Sequence, residues 1–202
     1  MVKYNPNQTV ITADSNKMIQ IGFFSGSRFP KLMDTLIESL ELLANKLDID
    51  KHTVVYGGGD SGLMSIVPKT FSYKGGNVIG IDAKMFVDQY GIASFGHQYV
   101  EPTFDLRQKR IINTADCFVA LPGGVGTMYE IIEVMTYNDL HLWKHDETVR
   151  KRIFILNHCG FYDSLRTHIQ NGFDSGLISI SNNADIIWCD TVDDLIESIG
   201  RI

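Results

Sequence analysis

The chain has 202 residues, of which 44% are hydrophobic and 21% are charged, a composition that suits one soluble domain with a substantial core. Its formal net charge of −6 argues against a nucleic-acid-binding surface, which would need clustered Lys and Arg side chains. A single small anionic ligand is not excluded, because local loop geometry decides whether such a ligand binds.

The N-terminal segment and the cysteines indicate the cellular setting. Residues 1–17 are polar, so we predict a flexible N-terminal arm rather than a signal peptide, followed by one domain over residues 18–202. No apolar run approaches the roughly 20 residues that cross a bilayer. Cys117, Cys159 and Cys189 each follow or end an apolar run and lack zinc-site spacing, which predicts buried, reduced thiols. We therefore expect a cytoplasmic protein without a membrane partner or a metal.

Apolar strand-like and helix-like segments alternate along the chain. In chain order they are strand Met18–Ser25, helix Phe29–Leu47, strand Thr53–Tyr56, a helix to about Tyr73, strand Asn77–Ile81, the unassigned segment Asp82–Gly96, strand His97–Val100, helix Phe104–Thr114, strand Ala115–Leu121, helix Thr127–Leu142, strand Arg152–Asn157, helix Phe161–Phe173, strand Ala184–Cys189 and helix Val192–Ile199. This alternation predicts an α/β fold with a single open, mostly parallel sheet.

Glycine-rich turns follow the first two strands. The first turn, Ser25-Gly26-Ser27, offers hydroxyl groups to a phosphate or a ribose, although serine capping of the next helix explains it equally well. The second, Gly57–Gly62, has four glycines in six positions, more than a simple turn needs, which favours close approach of a ligand to the main chain. Neither turn has the spacing of a dinucleotide-binding fingerprint or of a P-loop.

A third glycine-rich turn, Pro122–Thr127, lies between the most apolar strand and a helix. Bare N–H groups at such a helix start can hold an anion, most often a phosphate. Glu130 lies about one helical turn beyond the glycines, where its carboxylate can face the same ligand. Taken alone, the segment could also be a plain turn followed by a solvated glutamate. All three turns are expected at the carboxyl edge of the sheet, which favours an enzyme acting on a phosphorylated small molecule.

Taken together, the three turns resemble those of a known family. Ser-Gly-Ser at 25–27, Gly-Gly-Gly-x-x-Gly-Leu-Met at 57–64 and Pro-Gly-Gly-x-Gly-Thr-x-x-Glu at 122–130 are similar to motifs of the Lonely Guy (LOG) family of cytokinin riboside 5′-monophosphate phosphoribohydrolases, long labelled lysine decarboxylases. The resemblance runs from about Met18 to Ile199. It departs at Gln108, where the family has lysine, between Ile81 and Phe104, and in a longer charged connector at 144–152.

The resemblance implies a Rossmann-like fold with helices on both faces, no cofactor, and a homodimer or larger homo-oligomer with active sites near the interface. It implies hydrolysis of the N-glycosidic bond of an N6-substituted adenosine 5′-monophosphate to the free base and ribose 5-phosphate. It assigns catalysis to Arg107 and Glu130. The expected substrate- and phosphate-binding residues are Gly26, Ser27, Gly58, Gly59, Gly123, Gly124, Gly126, Thr127 and Glu133.

Two other functions stay open. One is a nucleosidase for AMP or another purine monophosphate. The other is a non-catalytic carrier of a phosphorylated cofactor, as in the related molybdenum-cofactor carrier proteins. Arg107 and Glu130 argue against a carrier, because binding alone has less need of a buried acid. Lysine decarboxylation is the least expected activity, since no lysine has the context of a pyridoxal-phosphate Schiff base.

Overall fold

The computed structural model describes residues 18–31, 34–143, 149–179 and 184–202. The predicted arm at 1–17 and residues 144–148 of the charged connector lie outside the described residues. The elements are β1 (Ile19–Phe24), α1 (Asp34–Lys46), β2 (His52–Tyr56), α2 (Gly62–Tyr73), β3 (Asn77–Ala83), α3 (Lys84–Tyr90), β4 (His97–Glu101), α4 (Phe104–Thr114), β5 (Cys117–Ala120), α5 (Val125–Asp139), β6 (Ile153–Leu156), a 3₁₀ turn (His158–Gly160), α6 (Asp163–Asp174), β7 (Ile186–Cys189) and α7 (Val192–Ile199).

The seven strands form one sheet in the order β4-β3-β2-β1-β5-β6-β7. Every neighbouring pair is parallel, which confirms the predicted open sheet. The strand order reverses at β1, which lies between β2 and β5. In doubly wound sheets the crevice outside the carboxyl ends of the strands at this reversal is where ligands bind.

Each face of the sheet is covered by its own hydrophobic core. Helices α1, α2 and α7 pack on one face through residues such as Leu40, Val67 and Leu195. Helices α4, α5 and α6 cover the other face, with Ile111 and Val134 among the buried residues. The predicted helices on both faces are therefore confirmed, and the fold is Rossmann-like.

The first helix begins later than its apolar pattern suggests. We predicted a start at Phe29, but Phe29–Lys31 is not helical and α1 begins at Asp34. Pro30 explains the delay, because a proline disfavours the helical conformation in the residue before it. Phe29 is instead exposed. Leu32 of the predicted apolar stripe lies outside the described residues, whereas Leu36 and Leu40 are fully buried as predicted.

The segment left unassigned contains α3, in which no residue is buried. One prediction about the cysteines was wrong. Cys117 and Cys189 are buried, but Cys159 is exposed, because it lies in the 3₁₀ turn after β6 with a φ of 52° rather than at the end of the strand. Within the described part of the chain, no helix is long and apolar enough to span a membrane.

Candidate active site

The three glycine-rich turns meet at the carboxyl edge of the sheet, beside the strand reversal. The Gly26 N–H donates to the carbonyl of Pro122 at 3.2 Å, and the Gly26 carbonyl accepts from the Met64 N–H at 3.0 Å. Gly62 has a φ of +60°, and a Cβ there would lie 2.2 Å from the backbone nitrogen of Arg28. The turns after β1, β2 and β5 are thus in direct contact, as expected for one composite site.

Helix α5 starts without a capping side chain. Its N-cap residue, Gly124, makes no side-chain cap bond, and the first intrahelical bond runs from the Met128 N–H to the Gly124 carbonyl at 3.0 Å. The N–H groups before Met128 therefore precede the hydrogen-bonded part of the helix. A helix start of this kind, with its positive dipole end, can hold an anion.

The glycines of this loop differ in what surrounds them. A Cβ on Gly123 would lie 2.1 Å from the Thr127 hydroxyl oxygen, so close packing inside the loop requires this glycine. Around the Cβ positions of Gly124 and Gly126, no atom of the described residues lies within 4 Å, apart from the adjacent residues and the nearby backbone of α5. Packing against the described residues therefore does not account for these two glycines, and the space over them suits a ligand that approaches the main chain.

The turn after β2 is shaped by the groups beneath it. A Cβ on Gly57 would lie 2.0 Å from Nη2 of Arg107, and one on Gly59 would lie 2.5 Å from the methyl carbon of Met64. Gly58 has a φ of +80°, and its Cβ would lie 2.6 Å from the Cβ of Asp82. Gly58 and Gly59 therefore permit close packing of the turn against β3 and α2, in addition to the ligand-binding role that the sequence suggests.

Arg107 lies beneath these turns with its guanidinium fixed by uncharged acceptors. This residue of α4 is only 7% exposed. Its Nε donates to the Ile81 carbonyl at 3.1 Å, its Nη2 to the Gly57 carbonyl at 3.0 Å, and its Nη1 to Oε1 of Gln108 at 2.5 Å. Burial lowers the pKa of Arg107, an effect that the neighbouring carboxylates oppose. The result is a cation held at one point of the site.

Glu130 lies next to this cation. Its Oε1 is 3.8 Å from Nη1 of Arg107, and the residue is 9% exposed. Burial raises the pKa of Glu130 to about 7, although Arg107 and the Gln108 amide act in the opposite direction. The two residues that were predicted to be catalytic are thus brought together, and the carboxyl can exchange a proton near neutral pH.

Gln108 connects the arginine to the glutamates of α5. It is 2% exposed, and its only acceptor oxygen receives the Arg107 bond, which leaves its two N–H donors for other partners. Burial raises the pKa values of Glu130 and Glu133, and this amide partly opposes the rise in both. The sequence identified Gln108 only as a departure from the family, whereas the structure places it among the charged groups.

Asp82 is an acid at the site that the sequence did not identify. It lies near the end of β3, is 4% exposed, and its Oδ1 is 4.0 Å from Nε of Arg107. Burial raises the pKa of Asp82, while the Ala83 N–H and Arg107 oppose the rise. A carboxylate immediately after a predicted strand, at the edge where ligands bind, is a signal that could have revealed it.

Two aromatic rings border the same part of the site. Phe86 of α3 and Phe104 of α4 pack edge to face, with ring centroids 6.3 Å apart. The guanidinium carbon of Arg107 lies 6.0 Å from the Phe86 ring and 5.9 Å from the Phe104 ring. Both residues are partly exposed, so they offer flat apolar surface beside the cation.

The other predicted binding residues have mixed positions. Gly26 lies in the contacts between the turns, whereas Thr127 is buried and packs against Gly123 within its own loop. Ser27 is exposed, whereas the Ser25 hydroxyl is buried and has no hydrogen-bond partner among the described residues. Glu133 is partly buried, and within the same ranges its Oε2 has no hydrogen-bond partner. No cluster of His, Cys, Asp and Glu side chains within the described ranges could hold a metal ion.

Known proteins share both the sequence and the fold. Residues 64–199 match a protein family described as "Possible lysine decarboxylase". Cytokinin riboside 5′-monophosphate phosphoribohydrolase LOG5 of Arabidopsis thaliana is 31% identical over 158 residues, which are 78% of this chain and 67% of that protein. Cytokinin riboside 5′-monophosphate phosphoribohydrolase LOG4 of the same plant is 30% identical over 190 residues, which are 93% of this chain and 85% of that protein.

Solved structures with this fold include a Moco carrier protein and a molybdenum cofactor binding protein. The Moco carrier protein from Chlamydomonas reinhardtii has a TM-score of 0.64 at 14% identity, over 92% of this chain and 97% of its own. The molybdenum cofactor binding protein from Rippkaea orientalis has a TM-score of 0.62 at 16% identity, over 93% and 98% of the two chains. At these identities the similarity concerns the fold alone.

The sheet order and the turns at its carboxyl edge define a Rossmann-like α/β protein with a composite, anion-compatible site. The match over residues 64–199 and the relatives at about 30% identity then show the family. This chain belongs to the Lonely Guy (LOG) family, whose family description is "Possible lysine decarboxylase".

Proposed function

We propose that this chain is a nucleoside 5′-monophosphate phosphoribohydrolase. It cleaves the N-glycosidic bond of an N6-substituted AMP to the free base and ribose 5-phosphate. The observation that carries the proposal is the buried Glu130 carboxyl 3.8 Å from the fixed guanidinium of Arg107, on a helix whose start is uncapped. The names of the relatives supply the substrate class.

The 5′-phosphate is the group that suits the start of α5. The uncapped N–H groups there complement its negative charge, and the open space over Gly124 and Gly126 lets its oxygens reach the main chain. The Thr127 hydroxyl offers a further donor. With the phosphate at this point, the ribose lies over the first turn of α5, beside Glu130.

Glu130 serves the sugar side of the reaction. Cleavage of the glycosidic bond builds positive charge on the ribose, which a carboxylate stabilises in a site with little water. A pKa of about 7 also suits a group that takes a proton from the attacking water at neutral pH. Water adds to C1′ and gives one proton to Glu130, while the electron pair of the broken bond leaves with the base. The base then takes up the proton released by the water and becomes the neutral free base.

Arg107 stabilises the departing base. Negative charge develops on the base as it departs, and a nearby guanidinium stabilises it. The bonds from Arg107 to two backbone carbonyls and to Gln108 hold the cation in place before the substrate arrives. Stabilisation by a group that is already oriented requires little reorganisation during the reaction.

The test is to incubate the protein with AMP and with N6-isopentenyl-AMP and to measure release of base and ribose 5-phosphate. We expect release from the N6-substituted nucleotide, and a loss of at least about 100-fold in kcat in Glu130→Gln. Glu41→Gln, which alters an exposed glutamate of α1, is the matched control. Release from neither nucleotide, or undiminished release by Glu130→Gln, would overturn the proposal.

The same experiment separates the alternatives. Faster release from AMP than from the N6-substituted nucleotide would indicate a general purine-monophosphate nucleosidase. A co-purifying phosphorylated ligand with no release would indicate a carrier, the function named for the solved structures with this fold.

A homodimer and a cytoplasmic location stay predictions. The surface of α5 next to Glu130 exposes Met128, Tyr129 and Ile132, which suits an apolar contact near the site. Light scattering of the purified chain measures the oligomeric state directly, and fractionation of the source cells locates the protein.

A further inference from the structure

The groups along the carboxyl edge follow a fixed order. The turn after β5 contacts the turn after β1, which contacts the turn after β2, which in turn contacts Asp82 at the end of β3. Strands in a sheet are spaced by 4.7–4.9 Å, so β3 and β5 are about 14 Å apart across this edge. Asp82 therefore lies at the opposite end of the site from the start of α5.

This order predicts where each part of a bound nucleotide lies along the edge, and the prediction rests on the proposed function. With the phosphate at α5 and the ribose beside Glu130, an extended nucleotide directs its base towards β3. Phe86 and Phe104 lie at this end, beside Arg107, and aromatic rings are the surfaces on which bases stack. The C6 edge of a purine is the part farthest from the phosphate, and this edge approaches Asp82.

One oxygen of the Asp82 carboxylate can accept a hydrogen bond from a ligand. Its Oδ1 accepts the Ala83 N–H at 2.8 Å and lies 4.0 Å from Nε of Arg107, which already donates to Ile81. Among the described residues, Oδ2 has no hydrogen-bond partner. Burial raises the pKa of Asp82, while the Ala83 N–H and Arg107 oppose the rise. In its ionised form the carboxylate only accepts hydrogen bonds.

We propose that Asp82 selects nucleotides with a 6-aminopurine base over those with a 6-oxopurine base. Adenine carries an exocyclic N–H at C6, and an N6-substituted adenine keeps one, which Oδ2 accepts. Hypoxanthine presents a carbonyl oxygen at C6, so a carboxylate oxygen aimed at this position meets a second acceptor, and the N1–H of hypoxanthine lies on the neighbouring ring atom. A buried acceptor left unpaired, or placed against another acceptor, disfavours the wrong ligand strongly.

The selectivity is measured by binding, independently of turnover. Calorimetry with AMP, inosine 5′-monophosphate and ribose 5-phosphate gives three dissociation constants for each variant. We expect wild type to bind AMP at least about 100-fold more tightly than the inosine nucleotide. In Asp82→Asn the ratio falls below about tenfold, because an amide can donate to the carbonyl as well as accept.

The controls separate selectivity from damage to the fold. Asn keeps an oxygen for the Ala83 N–H, so Asp82→Asn is expected to fold and to bind ribose 5-phosphate, which has no base, as wild type does. If it does not fold, Asp82→Ser retains an acceptor and gives the same test. Asp88→Asn changes an exposed acid of α3 that pairs with Lys84, and its AMP-to-inosine ratio is expected to equal that of wild type.

Each contrary result is decisive. Equal binding of the two nucleotides by wild type, or an unchanged ratio in the Asp82 variant, would overturn the assignment while leaving the phosphoribohydrolase proposal intact. If wild type binds neither nucleotide, the role of Asp82 fails; if it also fails to bind ribose 5-phosphate and to cleave N6-isopentenyl-AMP, the phosphoribohydrolase proposal fails with it.

Discussion

Replacing Glu130 by glutamine is expected to stabilise the protein at alkaline pH while abolishing its activity. The pKa of Glu130 is raised from an ordinary 4.5 to about 7, chiefly by burial. Between these values the unfolded chain ionises Glu130 and the folded chain does not, so the folded state loses stability as the pH rises through this window. One pKa unit corresponds to roughly 1.4 kcal/mol, so the full loss is about 3 kcal/mol above pH 7.

Glutamine has the shape of the protonated acid and never ionises. Glu130→Gln should therefore exceed wild type in free energy of unfolding by up to about 3 kcal/mol near pH 8.5, and by less than about 0.5 kcal/mol near pH 4.5. Urea unfolding of both proteins at the two pH values measures this difference. Glu41→Gln, at an exposed position of α1, should show no such pH-dependent gain. Equal effects of Glu130→Gln at both pH values would refute the reasoning.

Three glycine substitutions test the shape of the site. In Gly57→Ala the new methyl group would lie 2.0 Å from Nη2 of Arg107, so displacement of the guanidinium should lower kcat/KM at least about tenfold in the hydrolysis assay. In Gly123→Ala the new methyl group would lie 2.1 Å from the Thr127 hydroxyl oxygen. The variant should therefore lower the free energy of unfolding by about 1–3 kcal/mol, measured with urea. In Gly124→Ala the new methyl group meets no atom of the described residues within 4 Å beyond its chain neighbours, so the variant should fold normally. It should bind ribose 5-phosphate about tenfold more weakly by calorimetry, because the methyl group occupies the space assigned to the phosphate. Unaltered binding by Gly124→Ala would place the phosphate elsewhere.

Regions with strong local signals were predicted well from the sequence. Helix α4 occupies Phe104–Thr114 as predicted, and its start is fixed by Thr103, whose hydroxyl accepts the Leu106 N–H at 3.3 Å. A capping residue followed by a periodic apolar pattern is local information. By contrast, α3 has seven residues, buries none of them and follows Ala83, which makes no side-chain cap bond, so the sequence offers no comparable capping signal.

The positions of the charged groups depend on contacts between distant parts of the chain. We predicted Arg107 and Glu130 through their resemblance to a family motif, but spacing alone does not show that the guanidinium of α4 reaches Gly57 and Ile81. Asp82 escaped prediction because the sequence shows its place after the predicted strand but not its burial. That burial arises from packing against residues 24 or more positions away in sequence, such as Gly58 and Arg107.

The groups that orient Arg107 differ from the groups whose charge changes with pH. All three hydrogen bonds that fix the guanidinium end on uncharged oxygens, while the carboxyl groups of Asp82 and Glu130 stay 4.0 Å and 3.8 Å away. Protonation of either acid therefore changes the electric field at the ligand without removing a bond that orients the arginine. A pH–rate profile of this protein should accordingly report proton occupancy rather than a rearrangement of the backbone, and structures solved in acid and in alkali should superimpose at Arg107.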